Sequence, residues 1–288
     1  MEVQVLKNIL AALLMMLTVL LAAQGYDEQL MQAAIDGDAE AQNEIGVIYY
    51  QGDGVEQSIT EAVKWFRLSA DQGFDLGEHN LARCYYFGEG VEVNAPEAFR
   101  LFKSAAQKGH DSSQNYLGLC YANGFGVEKN EAEAVTWYRK AADQGEQWGQ
   151  NNLGSCYYDG IGVEKDFAQA VYWFTLSANQ DNPSAQTSLG YCYDTGTGVE
   201  KDSEQAVYYY TLAAQQNNAT AQNNLGLCYE YGTGVEINLS EAYYWYYLAD
   251  HYGSELAEDN MYAVMDYLDW DEQLYLEELA DEWINDHK

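Results

Sequence analysis

Cysteine is the residue type in this chain best suited to chemistry, because a thiolate is a nucleophile and a metal ligand. The five cysteines stand 36 residues apart, as Cys84, Cys120, Cys156, Cys192 and Cys228. Redox and metal-binding cysteines come in close pairs, and a disulfide needs Cα atoms within about 7 Å. Equivalent positions on neighbouring packed helices lie about 8–10 Å apart. We therefore expect no disulfide between them and predict that they are buried packing residues.

The histidines and the glycine-rich loops do not form a catalytic motif. The four histidines are scattered along the sequence and none is spaced as a helical pair of metal ligands: His79, His110, His251 and His287. The sequence contains no G-x-S-x-G, Walker or S-x-x-K motif. A G-x-G-V-E loop recurs, first at residues 52–56, but it lacks the lysine and the strand-to-helix context of a phosphate-binding loop. We predict tight interhelical turns there, and a non-enzymatic protein with no cofactor and no bound metal.

The cysteines and the loops share their period of 36 residues with a longer pattern. A small residue recurs at Gly46, Ala82, Gly118, Gly154, Gly190 and Gly226. Leu or Ile precedes it, and tyrosine follows three residues later in every copy. Six copies without an insertion or deletion indicate a tandem repeat protein.

Each copy is typical of two helices. In the first, Ala41, Ile45 and Tyr49 recur every four residues as one apolar stripe, and Gly52 can end the helix in the left-handed conformation. The second helix begins at a residue type that caps helices well, namely Ser58, Asn94, Asn130, Asp166, Asp202 and Asn238. Glu or Gln stands three residues later in each copy, which predicts a capping box.

A helix pair of this size cannot bury its apolar face alone, so neighbouring pairs must stack. We predict an all-α fold, a right-handed α/α solenoid of six 36-residue helix-turn-helix repeats with helical caps at both ends. The repeats are expected at residues 39–74, 75–110, 111–146, 147–182, 183–218 and 219–253. A half-repeat at 26–38 precedes them, and acidic capping helices at 254–288 follow.

The charge balance limits the possible partners. The chain has 46 acidic and 13 basic residues, a formal charge of −33, so we expect no nucleic-acid partner and repulsion from anionic membranes. With 48% hydrophobic and 14% aromatic residues, it is not an acidic disordered chain. Long-range attraction instead favours a partner of basic character.

The first 25 residues differ from the rest. Residues 9–23 form a 15-residue apolar run with one threonine, which is shorter than the roughly 20 residues of a bilayer span. Ala23 and Gly25 place small residues at the −3 and −1 positions of a cleavage site. We predict a signal peptide over residues 1–25 and an extracytoplasmic protein, periplasmic or secreted, that does not bind membranes after its removal. The alternative is an uncleaved N-terminal anchor.

The repeated pattern A-x-x-x-L-G-x-x-Y-x-x-G-x-G-V-x-x-(D/N)-x-x-x-A-x-x-W-x-x-x-A-A resembles the Sel-1-like repeat family, a branch of the tetratricopeptide-type α-solenoids. The resemblance covers residues 39 to about 253 and implies an adaptor that binds other proteins, without saying which. Some cysteine-rich members of the family carry two cysteines per repeat and are described as penicillin-interacting. This chain departs from that pattern, so that activity is not carried over.

One stripe of each first helix varies between copies, at positions 40, 44, 47 and 51 and their equivalents every 36 residues; we call it the variable stripe. First helices usually line the concave face of repeat solenoids. Asparagine recurs in the stripe and can both donate to and accept from a peptide backbone, and exposed aromatics are common interface anchors. We predict a concave binding groove lined by Leu76, Asn80, Arg83, Tyr116, Leu119, Trp148, Asn152, Ser155, Tyr191, Asn224, Leu227 and Tyr231. The alternative is that these residues only pack repeat against repeat.

Two functions are compatible with these patterns. The first is an exported, non-enzymatic scaffold or adaptor that binds a protein or extended peptide on its concave face. The alternative is a cell-wall or glycan-associated protein, which could be hydrolytic, because aromatic residues stack on sugars. Most of the aromatics recur with the repeat, as core residues do, and this favours the first function.

Overall fold

The computed structural model describes residues 27–287, and this part of the chain contains fifteen helices and no strand. The helices α1 to α15 span Glu28–Asp36, Ala39–Gln51, Ile59–Asp71, Asp75–Phe87, Ala95–Gln107, Asp111–Asn123, Glu131–Asp143, Gln147–Asp159, Phe167–Ala178, Pro183–Thr195, Ser203–Ala214, Ala219–Tyr231, Leu239–His251, Ala257–Met265 and Trp270–Asp286. None of these helices combines the length and the apolar character needed to cross a bilayer. The predicted signal peptide lies outside the described residues.

The chain divides into two compact units, Met1–Trp137 and Tyr138–Lys288, with the boundary inside α7. In the first unit each helix from α1 to α6 packs on the next one. In the second unit the helices from α8 to α14 do the same, and α15 packs on α13. Successive packing of helix pairs is the arrangement of a solenoid, and the predicted all-α solenoid of six repeats is confirmed.

The positions that recur in the sequence form the core of each unit. The Leu or Ile before the small residue is buried in every repeat: Ile45, Leu81, Leu117, Leu153, Leu189 and Leu225. The small residue lets an aromatic ring of the second helix lie directly on the first. A Cβ at Gly154 would stand 2.7 Å from the Phe174 ring, and one at Gly226 would stand 2.5 Å from the Tyr246 ring. The glycine therefore sets how closely the two helices of a repeat approach.

The second helices begin where the capping residues predict, but one bond of the predicted capping box is replaced. The side chain of Asn238 accepts from the backbone N–H of Glu241 at 3.2 Å, as expected. The N–H of Asn238 donates to the carbonyl of Tyr229 at 2.9 Å, and the equivalent bond forms in all six repeats. The turn brings the end of the first helix to this N–H, so the carbonyl occupies the place predicted for the Glu or Gln side chain.

A buried glutamine that the sequence analysis did not single out joins neighbouring repeats. Gln186 donates to the carbonyl of Ala178 at 3.4 Å and accepts from Gln216 at 2.8 Å. In the first unit Glu78 occupies the equivalent position and pairs with Lys108 at 2.7 Å. Because buried polar groups need partners, these contacts favour one orientation of a repeat on the one before it.

The C-terminal cap carries exposed aromatic residues as well as acids. The side chains of Tyr267, Trp270 and Tyr275 are all more than half exposed, and Trp270 is 71% exposed. The acidic composition predicts a solvent-facing cap. The described part of the cap faces solvent and presents both acidic and aromatic side chains.

Candidate functional site

The five cysteine thiols are buried in the core of the repeats. All five cysteines are free and buried, which confirms that they pack in the core. Burial raises the pKa of the Cys120 and Cys228 thiols to about 12, and that of the Cys84 and Cys192 thiols to about 11. No group of His, Cys, Asp and Glu within residues 27–287 is arranged to hold a metal ion. These thiols are therefore protonated at neutral pH and out of reach of a substrate.

We expect all five cysteines of the native full chain to resist iodoacetamide at about pH 8, because the reactive thiolate is suppressed by burial. After denaturation in guanidinium chloride, all five should react. Intact-mass spectrometry of the labelled protein counts the adducts in each state. Rapid labelling of several cysteines in the native protein would show that the thiols are accessible and would reopen a redox or metal-binding role.

Two histidines that the sequence analysis treats as scattered are neighbours in the first unit. The ring centroids of His79 and His110 lie 4.5 Å apart. His79 Nδ1 lies 2.8 Å from Ser113 Oγ, and the Ser113 N–H donates to His110 Nδ1 at 3.0 Å. Burial lowers the pKa of His79 to about 3. Ser113 is fully buried, so this His–Ser pair is closed to a substrate and joins two repeats. Its members lie in different repeats and share no spacing rule that a sequence motif could reveal.

In the second unit, the variable stripes of three first helices line one pocket of about 320 Å³. Helix α8 contributes Ser155 and Asp159, α10 contributes Ser188 and Tyr191, and α12 contributes Thr220 and Asn224. Three of the predicted site residues thus come together: Ser155, Tyr191 and Asn224. The remaining lining residues are Tyr158, Phe174 and Thr187.

A smaller pocket of about 200 Å³ lies in the first unit and is built in the same way. Its stripe residues are Val47 and Gln51 of α2 and the predicted site residues Asn80 and Arg83 of α4. The Nε of Arg83 is buried without a hydrogen-bond partner in the described part of the chain. In each unit, therefore, stripe residues of successive first helices line a pocket.

The other predicted site residues differ in accessibility. The exposed ones are Leu76, Trp148 and Tyr231. Half-buried side chains are those of Tyr116, Leu119, Asn152 and Leu227. Trp148 is 43% exposed on α8.

Two predicted site residues depart from expectation. Tyr116 is less open than predicted, because its ring stacks on Phe102 with centroids 4.9 Å apart. The amide of Asn80, expected to pair with a partner's backbone, donates to Asn43 Oδ1 at 2.8 Å. The alternative of repeat-on-repeat packing therefore holds for part of the first unit's stripe.

Some pocket residues lie just outside the predicted stripe. Tyr158 follows the constant Tyr157 by one residue, and it lines the larger pocket. Its position varies between copies, as Tyr50, Tyr86, Ala122, Tyr158, Asp194 and Glu230. That variability is the signal that could have widened the predicted stripe.

Comparisons with known proteins agree with this architecture. The sequence profile of the Sel1 repeat matches the chain at residues 39–74, 76–110, 111–146, 149–182, 183–218 and 219–249. One similar solved structure is that of c5321, a protective antigen of uropathogenic Escherichia coli strains with an SLR fold. Its sequence is 33% identical to this chain, and the match covers 91% of this chain with a TM-score of 0.74. This chain covers 56% of the length of that protein.

Two further solved structures are similar. A Sel1 repeat protein from Oxalobacter formigenes is 34% identical, with 74% of this chain and 85% of that chain covered and a TM-score of 0.69. The immunity protein Pa5087 from Pseudomonas aeruginosa is 20% identical, with 74% of this chain and 81% of that chain covered and a TM-score of 0.50, and it shares the fold alone. A search of curated proteins gives no match.

Proposed function

Because this chain belongs to the Sel1 repeat family, whose members are generally scaffolds for protein–protein interactions, we propose that it is an exported scaffold that binds a protein or extended peptide. The binding surface in this proposal is the variable stripe of the first helices, on the predicted concave face. The observation that carries it is that stripe residues of successive repeats line a pocket in each unit. Packing alone does not require these positions to vary between repeats that share one core.

The family is typically non-enzymatic, and the chemistry of this chain supports the same assignment. The residue types most capable of nucleophilic or acid–base catalysis are the cysteines and the His79–Ser113 pair, and both are buried in the core. A catalytic group must be within reach of its substrate. The exposed stripe offers aromatic rings, hydroxyls and amides, which suit recognition.

The proposed partner is basic. The formal charge of −33 attracts cations over distances of about 8 Å at physiological ionic strength. Such attraction raises the rate of association and weakens as salt is added. Partner binding should therefore decline steeply between low and high salt.

The proposed export rests on residues 1–25, outside the described part of the chain. If these residues are a signal peptide, N-terminal sequencing of the protein from an extracytoplasmic fraction should begin at Tyr26, because Gly25 occupies the −1 position. An intact N-terminus beginning at Met1 in a membrane fraction would show an uncleaved anchor instead.

Replacing Trp148 by alanine tests the binding surface. Its side chain is exposed on the stripe of α8, so we expect the helical circular dichroism signal and the thermal midpoint to change little. Binding should weaken by roughly 2 kcal/mol or more if this residue is an interface anchor. Affinity is measured by titrating the full chain with a partner first captured from the envelope proteins of its source.

The matched control is Trp270→Ala, which removes an exposed tryptophan of the same unit from the C-terminal cap. This variant should bind like the unmodified chain. If Trp148→Ala unfolds the protein while binding per folded molecule is unchanged, Trp148 belongs to the core and the assignment of the surface is wrong. An equal loss of affinity in both variants would show that the partner does not bind at the stripe.

A further inference from the structure

The pocket of the second unit contains an unpaired carboxylate. Asp159 is exposed at the C-terminal end of α8 and lines the pocket. It has neither an ion pair nor a side-chain hydrogen bond with any residue that the structure describes. The other two acids on the pocket-lining first helices are engaged: Asp194 lies 3.9 Å from Lys201, and Glu230 accepts from Tyr246 at 2.7 Å.

No positive charge of these helices neutralises the pocket. The sequences of α8, α10 and α12 contain no lysine and no arginine. The nearby loop residue Lys165 lies over the ring of Phe167, 5.5 Å from its centroid. A cation entering the pocket would therefore meet one available carboxylate and no competing ammonium or guanidinium group on its three first helices.

Three hydroxyl groups of the pocket donate their own hydrogen to the backbone, which leaves their oxygens as hydrogen-bond acceptors. Thr187 donates its hydroxyl hydrogen to the carbonyl of Pro183 at 2.8 Å, Ser188 to that of Ser184 at 3.0 Å, and Ser155 to that of Asn151 at 3.1 Å. Each hydroxyl has a single hydrogen, so its oxygen then presents only lone pairs to other groups. These three oxygens, together with the Asp159 carboxylate, favour a ligand group that is rich in donors.

Aromatic rings form the walls of the second unit's pocket. The ring centroids of Tyr158 and Tyr191 lie 6.4 Å apart at 72°, and Phe174 lies 6.5 Å from Tyr158. Phe174 is buried, while Tyr191 is 47% exposed. Aromatic faces attract cations and cover aliphatic stems. The volume of about 320 Å³ is at the lower end of small-ligand pockets, so it suits one side chain rather than a helix.

We propose that this pocket binds the side chain of a lysine or arginine of the partner, with its stem between the aromatic rings and its charged head at Asp159 and the hydroxyl oxygens. The proposal rests on the scaffold function and specifies what the second unit recognises. The occupant is a peptide cation because the Asp159 carboxylate and the oxygens of Ser155, Thr187 and Ser188 are complementary to it.

The test uses a displayed library of random dodecapeptides selected on the immobilised full chain. We expect the selected sequences to share a lysine or arginine. Replacing that residue in a synthetic peptide, lysine by norleucine or arginine by citrulline, should weaken binding about tenfold, since both lose the ion pair and norleucine also loses the donated hydrogen bonds. Asp159→Asn should weaken the cationic peptide about fivefold to tenfold and leave the norleucine peptide unchanged.

The matched control is Glu164→Gln, which removes the same charge from an exposed loop position and should change affinity less than about twofold. If the selected peptides share no cation, or if Asp159→Asn behaves like Glu164→Gln, the cation pocket is overturned while the scaffold function stands. If no peptide is selected, the cation pocket is overturned, whereas the scaffold function, which also allows a folded protein partner, is decided by the Trp148→Ala titration. If chitin or peptidoglycan oligosaccharides bind and Asp159→Asn abolishes that binding, the occupant is a glycan.

Discussion

Gly198→Ala is expected to destabilise the full chain by about 3 kcal/mol or more. Gly198 is the second glycine of a G-x-G-V-E loop and has φ of 74°, where a side chain costs about 1–2 kcal/mol. A Cβ would also stand 2.3 Å from the carbonyl oxygen of Phe167 and 2.6 Å from its carbonyl carbon. These are backbone atoms at the start of the preceding repeat's second helix, so the clash can be relieved only by moving one repeat against its neighbour.

The matched control is Gly253→Ala in the same unit. Gly253 has φ of 93°, and a Cβ there would have no heavy atom within 4 Å. This variant should lose only the backbone contribution, about 1–2 kcal/mol. Urea unfolding followed by far-ultraviolet circular dichroism gives both midpoints. If the two variants unfold at the same denaturant concentration, the close contact at Gly198 contributes nothing, and the loop glycines are needed only for their conformation.

The stability of the first unit should fall as the pH drops below about 6.5, because of His79. Burial, and then the positive charges of His110 and Arg83, lower the pKa of His79 from 6.5 to about 3 in the folded protein. Between pH 6.5 and about pH 3, the His79 side chain is protonated in the unfolded chain and neutral in the folded chain. Protonation therefore favours unfolding, by about 2 kcal/mol at pH 5 relative to pH 7 and by more as the pH approaches 3.

This contribution is separated from other titrations by comparing variants. His79→Asn should flatten the decline between about pH 7 and pH 5 by about 2 kcal/mol, whatever its effect on stability at pH 7. His251→Asn removes an exposed histidine and should leave the decline unchanged. Urea unfolding midpoints across the pH range measure the difference. If His79→Asn and the unmodified chain decline in parallel, His79 is solvated in the folded state.

The elements could be predicted from the sequence because every repeat repeats the same local physics. Each recurring residue acts within its own repeat or on the neighbouring one, as Gly154, the aromatic Phe174 and the capping residues do. The six copies therefore adopt the same geometry. The buried cysteines follow from the same period. The fold and its core were therefore predictable without any knowledge of function.

The site was predictable only in part, because accessibility depends on which side chain the adjoining repeat presents. Tyr116 and Trp148 both belong to the variable stripe, but Tyr116 stacks on Phe102 whereas Trp148 remains exposed. Asn80 meets Asn43 across repeats and forms a hydrogen bond with it. The His79–Ser113 hydrogen bond likewise joins residues of different types in successive repeats. Such pairings change from copy to copy, so the period that reveals the core does not reveal them.

The proposed partner-binding surface is the variable stripe of the first helices. A selected dodecapeptide carrying benzoylphenylalanine next to its cationic residue can be photo-crosslinked to the full chain and the adducts mapped by mass spectrometry. We predict adducts on α8, α10 and α12, at stripe residues around the pocket such as Tyr191 and Thr220. Adducts confined to the second helices α9, α11 and α13, or to the C-terminal cap, would show that the partner binds elsewhere.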